Sequence, residues 1–302
     1  MSRSAAPSLA PLVDVEIVPV PVPVPVRDGD PGSQAPGPCA LAAAPSRPRI
    51  VALGDSVTVG VGDVDERGWA VHLAHVLGGT LVNLAANGAR AHTVVTEQLD
   101  AALASQPAVA TLMIGGNDVL RGDFDARDVG SAVEQSLLRL LATGCTVVLV
   151  LPPPVGRALP APAIVRRVLA RRMDLVRAVT LAVVQRISPA AELLVLDSTR
   201  VQEVGGDRVL HIDRIHPSPL GHRLLADQVA TLLGERGFDT QAVMSPVPNP
   251  LPRRERLWWL IVRGTPWLIR RSRDLLPQLV ITVLREERRR RVEQRDARRV
   301  VG

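Results

Sequence analysis

Three residue types in this sequence can do nucleophilic chemistry together: Ser56, His216 and Asp213. Ser56 follows a short apolar run, Ile50 to Leu53, and an abrupt break at Gly54-Asp55. A serine hydroxyl is a poor nucleophile until a base removes its proton, so a histidine with an orienting acid must exist elsewhere. Six histidines compete: His72, His75, His92, His211, His216 and His222. His72 and His75 form an H-x-x-H on a helical segment with no third ligand, which suits packing or surface better than a catalytic metal. His92 and His222 fall in helical segments without an acid at a suggestive spacing. His216 belongs to Asp213-Arg214-Ile215-His216-Pro217. Three residues of turn let the Asp213 carboxylate curl back to the imidazole Nδ1–H, fixing the tautomer and leaving Nε2 to accept a proton from Ser56. The same spacing also suits an Asp213 that caps a helix beginning near Pro217.

The oxyanion formed when a carbonyl is attacked needs donors already in place. Gly88, and the run Gly115-Gly116-Asn117-Asp118, follow apolar strand-like runs and offer backbone N–H groups and a side-chain amide. Those residues are equally good turn formers. What favours a site is their convergence. Runs of strand length at residues 50–53, 81–84, 109–114, 146–151 and 193–196 alternate with segments of helical period, the pattern of a parallel sheet covered on both faces. In such a sheet the residues after each strand gather at one edge, where ligands bind. Asp55-Ser56, Asn87-Gly88, Gly116-Asn117, Pro152-Pro153-Pro154 and Asp197-Ser198 all arrive there. Helices are expected over 127–142, over 164–187 with its arginines as a solvated face, and over 217–233 with Pro217 in the first turn.

Gly54-Asp55-Ser56-Val57-Thr58-Val59-Gly60, Asn83 to Ala89, Gly115-Gly116-Asn117-Asp118 and Asp213-Arg214-Ile215-His216-Pro217 together resemble, in order, the four blocks of the SGNH or GDSL hydrolases. The resemblance covers residues 49 to 236. It implies an esterase or lipase-like acyl hydrolase on a flavodoxin-like α/β/α fold with about five parallel strands. It further implies Ser56 as nucleophile, His216 as base and Asp213 as its orienter, with the oxyanion hole formed by the Ser56 N–H, Gly88 and Asn117. Asp55 is left as a hydrogen-bonding residue of the turn. Neither a metal nor an organic cofactor is implied. The α/β-hydrolase elbow, G-x-S-x-G with a distant acid, does not fit, and no dinucleotide fingerprint or Walker lysine is present.

Around this domain the composition changes. Residues 1–48 are rich in Pro, Ala, Ser and Val, and the alternation from Val18 to Pro25 removes every second backbone donor. A disordered polyproline-type arm is expected there. Residues 239–302 are a Pro-rich connector and a basic tail: between Arg253 and Arg299 stand 15 arginines against 6 acidic residues, while the chain as a whole carries +6. The sequence has no lysine and no tyrosine. Trp258, Trp259 and Trp267 among these arginines suit peripheral membrane contact through residues 253–291, or packing on the hydrolase domain; nucleic acid is not expected. Cys39 and Cys145 form neither a disulfide framework nor a metal spacing. With no signal peptide and no apolar run of membrane-spanning length, a cytoplasmic location is expected. The expected substrate is a lipid or small-molecule acyl ester. Carbohydrate O-acetyl ester hydrolysis, and a non-enzymatic interaction role for the arm and tail, are the alternatives. Nothing in the sequence specifies an oligomeric state.

Overall fold

In the computed structural model the described residues are 47–63, 67–154, 161–187, 192–240 and 288. The arm expected over 1–48, all but its last two residues, lies outside them. So do nearly all of the connector and tail expected over 239–302, and with them the expected membrane contact through 253–291.

Five strands form one parallel sheet: β1 (Arg49–Gly54), β2 (Thr80–Asn83), β3 (Val109–Met113), β4 (Thr146–Leu151) and β5 (Leu193–Asp197). Their spatial order is β2-β1-β3-β4-β5, and every neighbouring pair is parallel. This is the flavodoxin-like order, and each strand lies within a residue or two of its predicted place. The central strands read as unbroken apolar runs because both of their faces are covered. Along β1, Val51 and Leu53 join one core cluster while Ile50 and Ala52 join the other.

The helices are α1 (Ser56–Val59), α2 (Gly68–Val76), α3 (Ala91–Thr93), α4 (Leu99–Ala104), α5 (Ala126–Leu141), α6 (Ala163–Ile187), α7 (Thr199–Gly205) and α8 (Pro219–Gly234). A π-helical turn, Val94–Gln98, joins α3 to α4. The first cluster packs α3 to α6 on the sheet through residues such as Val94, Leu137 and Met173; the second packs α2, α7 and α8 through Trp69, Val201 and Leu225. Three layers result. Cys145 is a buried free thiol just before β4, its Sγ against the Leu140 carbonyl at 3.4 Å.

Two expectations change. The last helix begins at Pro219 and not Pro217: Ser218 caps it, its Oγ accepting from the Gly221 N–H, while Pro217 pairs with Leu210 in an isolated antiparallel bridge. Proline suits either place, so the residue type could not choose between them. The arginines of α6 are not all a solvated face. Arg172 Nη1 donates to the carbonyls of Val119 and Arg121 at 3.0 and 2.7 Å. Arg177 donates to the Pro152 carbonyl at 2.7 Å and pairs with Asp197. Long guanidinium stems thus reach the loops at the carboxyl edge of the sheet. Among the described residues no helix is long and apolar enough to cross a membrane.

Candidate active site

The sheet order reverses beside β1, because β2 lies on one side of it and β3 on the other. The carboxyl end of β1 is therefore the switch point, where a crevice opens between the outgoing connections. Gly54 ends the strand at φ +154, and a Cβ there would stand 2.5 Å from the Met113 carbonyl oxygen. Only glycine lets β1 and β3 approach this closely at that bend. Its backbone is clamped by Gln98, whose Oε1 accepts from the Gly54 N–H and whose Nε2 donates to the Gly54 carbonyl, both at 2.9 Å. Asp55 then caps α1, accepting from the Val57 N–H at 3.0 Å. Ser56 is the first helical residue.

From the other end of the chain, the loop before α8 brings His216 to it. Ser56 Oγ lies 2.8 Å from His216 Nε2, and His216 Nδ1 lies 2.7 Å from Asp213 Oδ2. The other carboxylate oxygen, Oδ1, accepts from the Ile215 and His216 N–H groups, each at 3.0 Å. Asp213 thus holds its own loop together and does not cap the following helix, which Ser218 does. The loop is a pinched hairpin: the His211 N–H donates to the His216 carbonyl at 2.8 Å, and Arg214 turns it at φ +59. His216 is 4% exposed. A carboxylate on Nδ1 selects the tautomer with its proton there, so Nε2 is the acceptor facing the Ser56 hydroxyl.

Burial alone would push the Asp213 carboxyl upward. The His211 imidazole 3.5 Å away, the hydrogen bond and charge of His216 and the His216 backbone N–H outweigh it and hold the group well below the usual carboxylate range. Asp55 has the opposite outcome: burial dominates and raises it to about 6.

The predicted oxyanion residues occupy the neighbouring connections. Gly88 sits at φ +82 after β2, and Asn117 follows β3. Asn117 Nδ2 donates to the Ala89 carbonyl at 3.0 Å and to Asp55 Oδ2 at 3.3 Å. It therefore ties the residue beside Gly88 to the residue beside Ser56, and the three connections meet through its amide. Asp118 supports the same corner, its buried carboxylate accepting from the Ala91 N–H at 3.1 Å.

The remaining histidines divide by burial. His75 and His92 are exposed. His72 directs Nε2 at Asp63 Oδ2 at 2.7 Å, so the H-x-x-H pair is not a joint ligand set. His222 is fully buried on α8, its Nδ1 accepting from the Trp69 N–H at 3.2 Å and its Nε2 lying 3.1 Å from the Val61 carbonyl. Burial lowers it to about 4. Among the described residues no three His, Cys, Asp or Glu side chains are grouped to hold a metal ion.

Two supporting residues escaped the sequence reading. Gln98 had no legible signal, because a π-helical turn breaks the helical period at that point. His211 stands two residues before Asp213, and that spacing was visible but had no motif to attach it to.

Solved structures with this fold include a catalytic mutant of an acetylxylan esterase from Geobacillus stearothermophilus, 20% identical over 67% of this chain and 98% of that one, TM-score 0.51. They also include an alpha/beta hydrolase enzyme from the metagenome of Lake Arreo, 22% identical over 65% and 97%, TM-score 0.50. At such identities the likeness speaks for the fold. A comparison with curated proteins finds no match. A family model described as the GDSL-like Lipase/Acylhydrolase family matches residues 52–224, more than half of the chain and the whole span from β1 into α8. The chain therefore belongs to the GDSL-like lipase/acylhydrolase family and is a hydrolase of carboxylic esters.

Proposed function

We propose that the chain cleaves acyl esters by two-step acyl transfer through Ser56. The observation that carries this reading is the unbroken line from Ser56 Oγ through the His216 ring to Asp213, with heavy-atom distances of 2.8 and 2.7 Å. Ser56 Oγ attacks the ester carbonyl carbon as its proton passes to His216 Nε2, and the carbonyl π pair moves onto oxygen. The Ser56 N–H, the Gly88 N–H and the Asn117 amide receive that oxyanion. The longer of the two Asn117 bonds, to Asp55, is the one exchanged for it. Collapse breaks the bond to the leaving alcohol, which takes the proton from His216. Water, deprotonated by His216, then attacks the acyl-serine, and Ser56 recovers its proton as the carboxylate leaves. Asp213 orients the ring and stabilises the imidazolium in both halves. No step calls on a metal or organic cofactor.

A fatty-acyl ester and a small acyl ester, an O-acetyl group on a carbohydrate included, are handled by the same steps. Labelling with a fluorophosphonate probe and hydrolysis of p-nitrophenyl esters of increasing chain length test the reaction and the acyl preference together. Ser56→Ala abolishes labelling and lowers kcat by about 10⁴ or more. A folded Ser56→Ala chain with near-native turnover would falsify the assignment.

A further inference from the structure

His211 raises a question the reaction above does not answer, because its Nδ1 lies near the same carboxylate oxygen that His216 uses. His211 Nδ1 lies 3.5 Å from Asp213 Oδ2, and His216 Nδ1 lies 2.7 Å from it. Both imidazoles are largely buried, with side-chain exposures of 10% and 5%. The backbone of His211 already closes the hairpin, through its N–H on the His216 carbonyl and its carbonyl under the Arg214 N–H at 3.0 Å. Any residue could do that, so the hairpin does not explain the side chain. The side chain is also closely packed: a Cβ added at Gly62 would stand 3.3 and 3.4 Å from His211 Cβ and Cγ. The loop after α1 therefore passes close against the base of the imidazole.

We propose that His211 is a positioning residue of the relay: its Nδ1–H faces Asp213 Oδ2 beside His216, holding that oxygen in place and tempering its pull on the His216 ring. The inference rests on the reading of Ser56, His216 and Asp213 given above. A carboxylate shared by two imidazoles has less freedom to rotate, and it gives each ring less than its full charge. The nearness of the His211 imidazole is also among the causes that hold the Asp213 carboxyl below its usual range. The other titratable and charged groups near this pair are Asp55 at the end of β1, His222 on α8 with Asp63 and His72 behind it, and Asp207, which pairs with Arg214. None of them is altered in the test below.

The test is the pH profile of kcat/KM for p-nitrophenyl acetate with the full chain and three variants. His211→Ala removes the donor and leaves Asp213 entirely to His216, so the acid limb moves to higher pH by roughly half to one unit. In the same variant kcat falls severalfold and KM is unchanged. His211→Asn places an amide N–H where Nδ1 stood and keeps the native limb. His211→Gln places its amide one bond further out and follows the alanine variant, which carries the comparison should His211→Ala not fold. A limb that stays at the native position in the alanine and glutamine variants, or that moves as far in the asparagine variant, overturns the proposal. Fluorophosphonate labelling of the native chain is run alongside: its absence would defeat the acyl-transfer reading, whereas normal labelling with unmoved limbs defeats only the role of His211.

Discussion

His222 and Asp55 are both buried titratable groups that feel the His216 charge, and burial moves them in opposite directions, to about 4 and about 6. Burial disfavours whichever form is charged, so it lowers the histidine and raises the acid. For His222 the unfolded chain takes a proton as pH falls through about 6.5, while the folded chain takes none until about 4. Its contribution is intact above that window and is lost as pH falls through it, by up to about 3 kcal/mol. For Asp55 the folded chain keeps its proton to about 6 while the unfolded chain has lost it near 3.8, so stability is lost as pH rises through that interval. Between about pH 4 and 6 the two effects oppose each other. Replacing His222 with Phe separates them. The variant is less stable than the native chain at pH 8, since the Trp69 N–H and the Val61 carbonyl lose their partner. Its deficit then narrows by up to about 3 kcal/mol between pH 6.5 and 4. Urea unfolding at pH 8, 6 and 4.5 measures this, and a deficit that stays constant across the three would contradict it.

At the scale of elements, the turn from β1 into α1 depends on residues far away in the fold. Gln98, on a π-helical turn, satisfies both backbone groups of Gly54. Gln98→Leu takes the side-chain acceptor from the Gly54 N–H and leaves the Gly54 carbonyl to the Ala86 N–H at 3.2 Å alone, at about 1–3 kcal/mol for the lost acceptor, with a fall in kcat as the serine loses its fixed support. Thermal unfolding and turnover of the one variant read both effects; an unchanged Tm would show the clamp to be dispensable. The sequence carried the strands plainly, because runs such as Ile50 to Leu53 and Val147 to Leu151 end at glycine or proline. It also singled out Ser56, Asp213 and His216, which the structure brings within hydrogen-bond distance of one another in sequence from serine to acid. It did not carry Gln98, or Arg172 reaching the Val119 and Arg121 carbonyls from 53 and 51 residues away. A polar side chain bound to a distant backbone leaves no period to read, and a helical arginine looks the same whether it meets water or a carbonyl. The start of α8 lies two residues beyond the predicted Pro217 because both prolines satisfy the same local rule.

For the whole molecule, charge is divided along the chain. The described region pairs charged groups with one another, as Arg177 with Asp197 and Arg139 with Asp100, and the arginine excess of the sequence lies from Arg253 onward. Arginines and three tryptophans in that stretch predict stronger sedimentation with anionic lipid vesicles for the full chain than for one ending at Pro246. Equal partitioning of the two would remove membrane contact from consideration. The line from Ser56 to His216 joins residues 160 positions apart. Translated at about 5–20 residues per second, the chain carries its serine for roughly ten to thirty seconds before its histidine has been made. On the proposed reading of Ser56 and His216, the nascent protein would be chemically silent while it grows, and hydrolysis would begin only as α8 closes on the sheet.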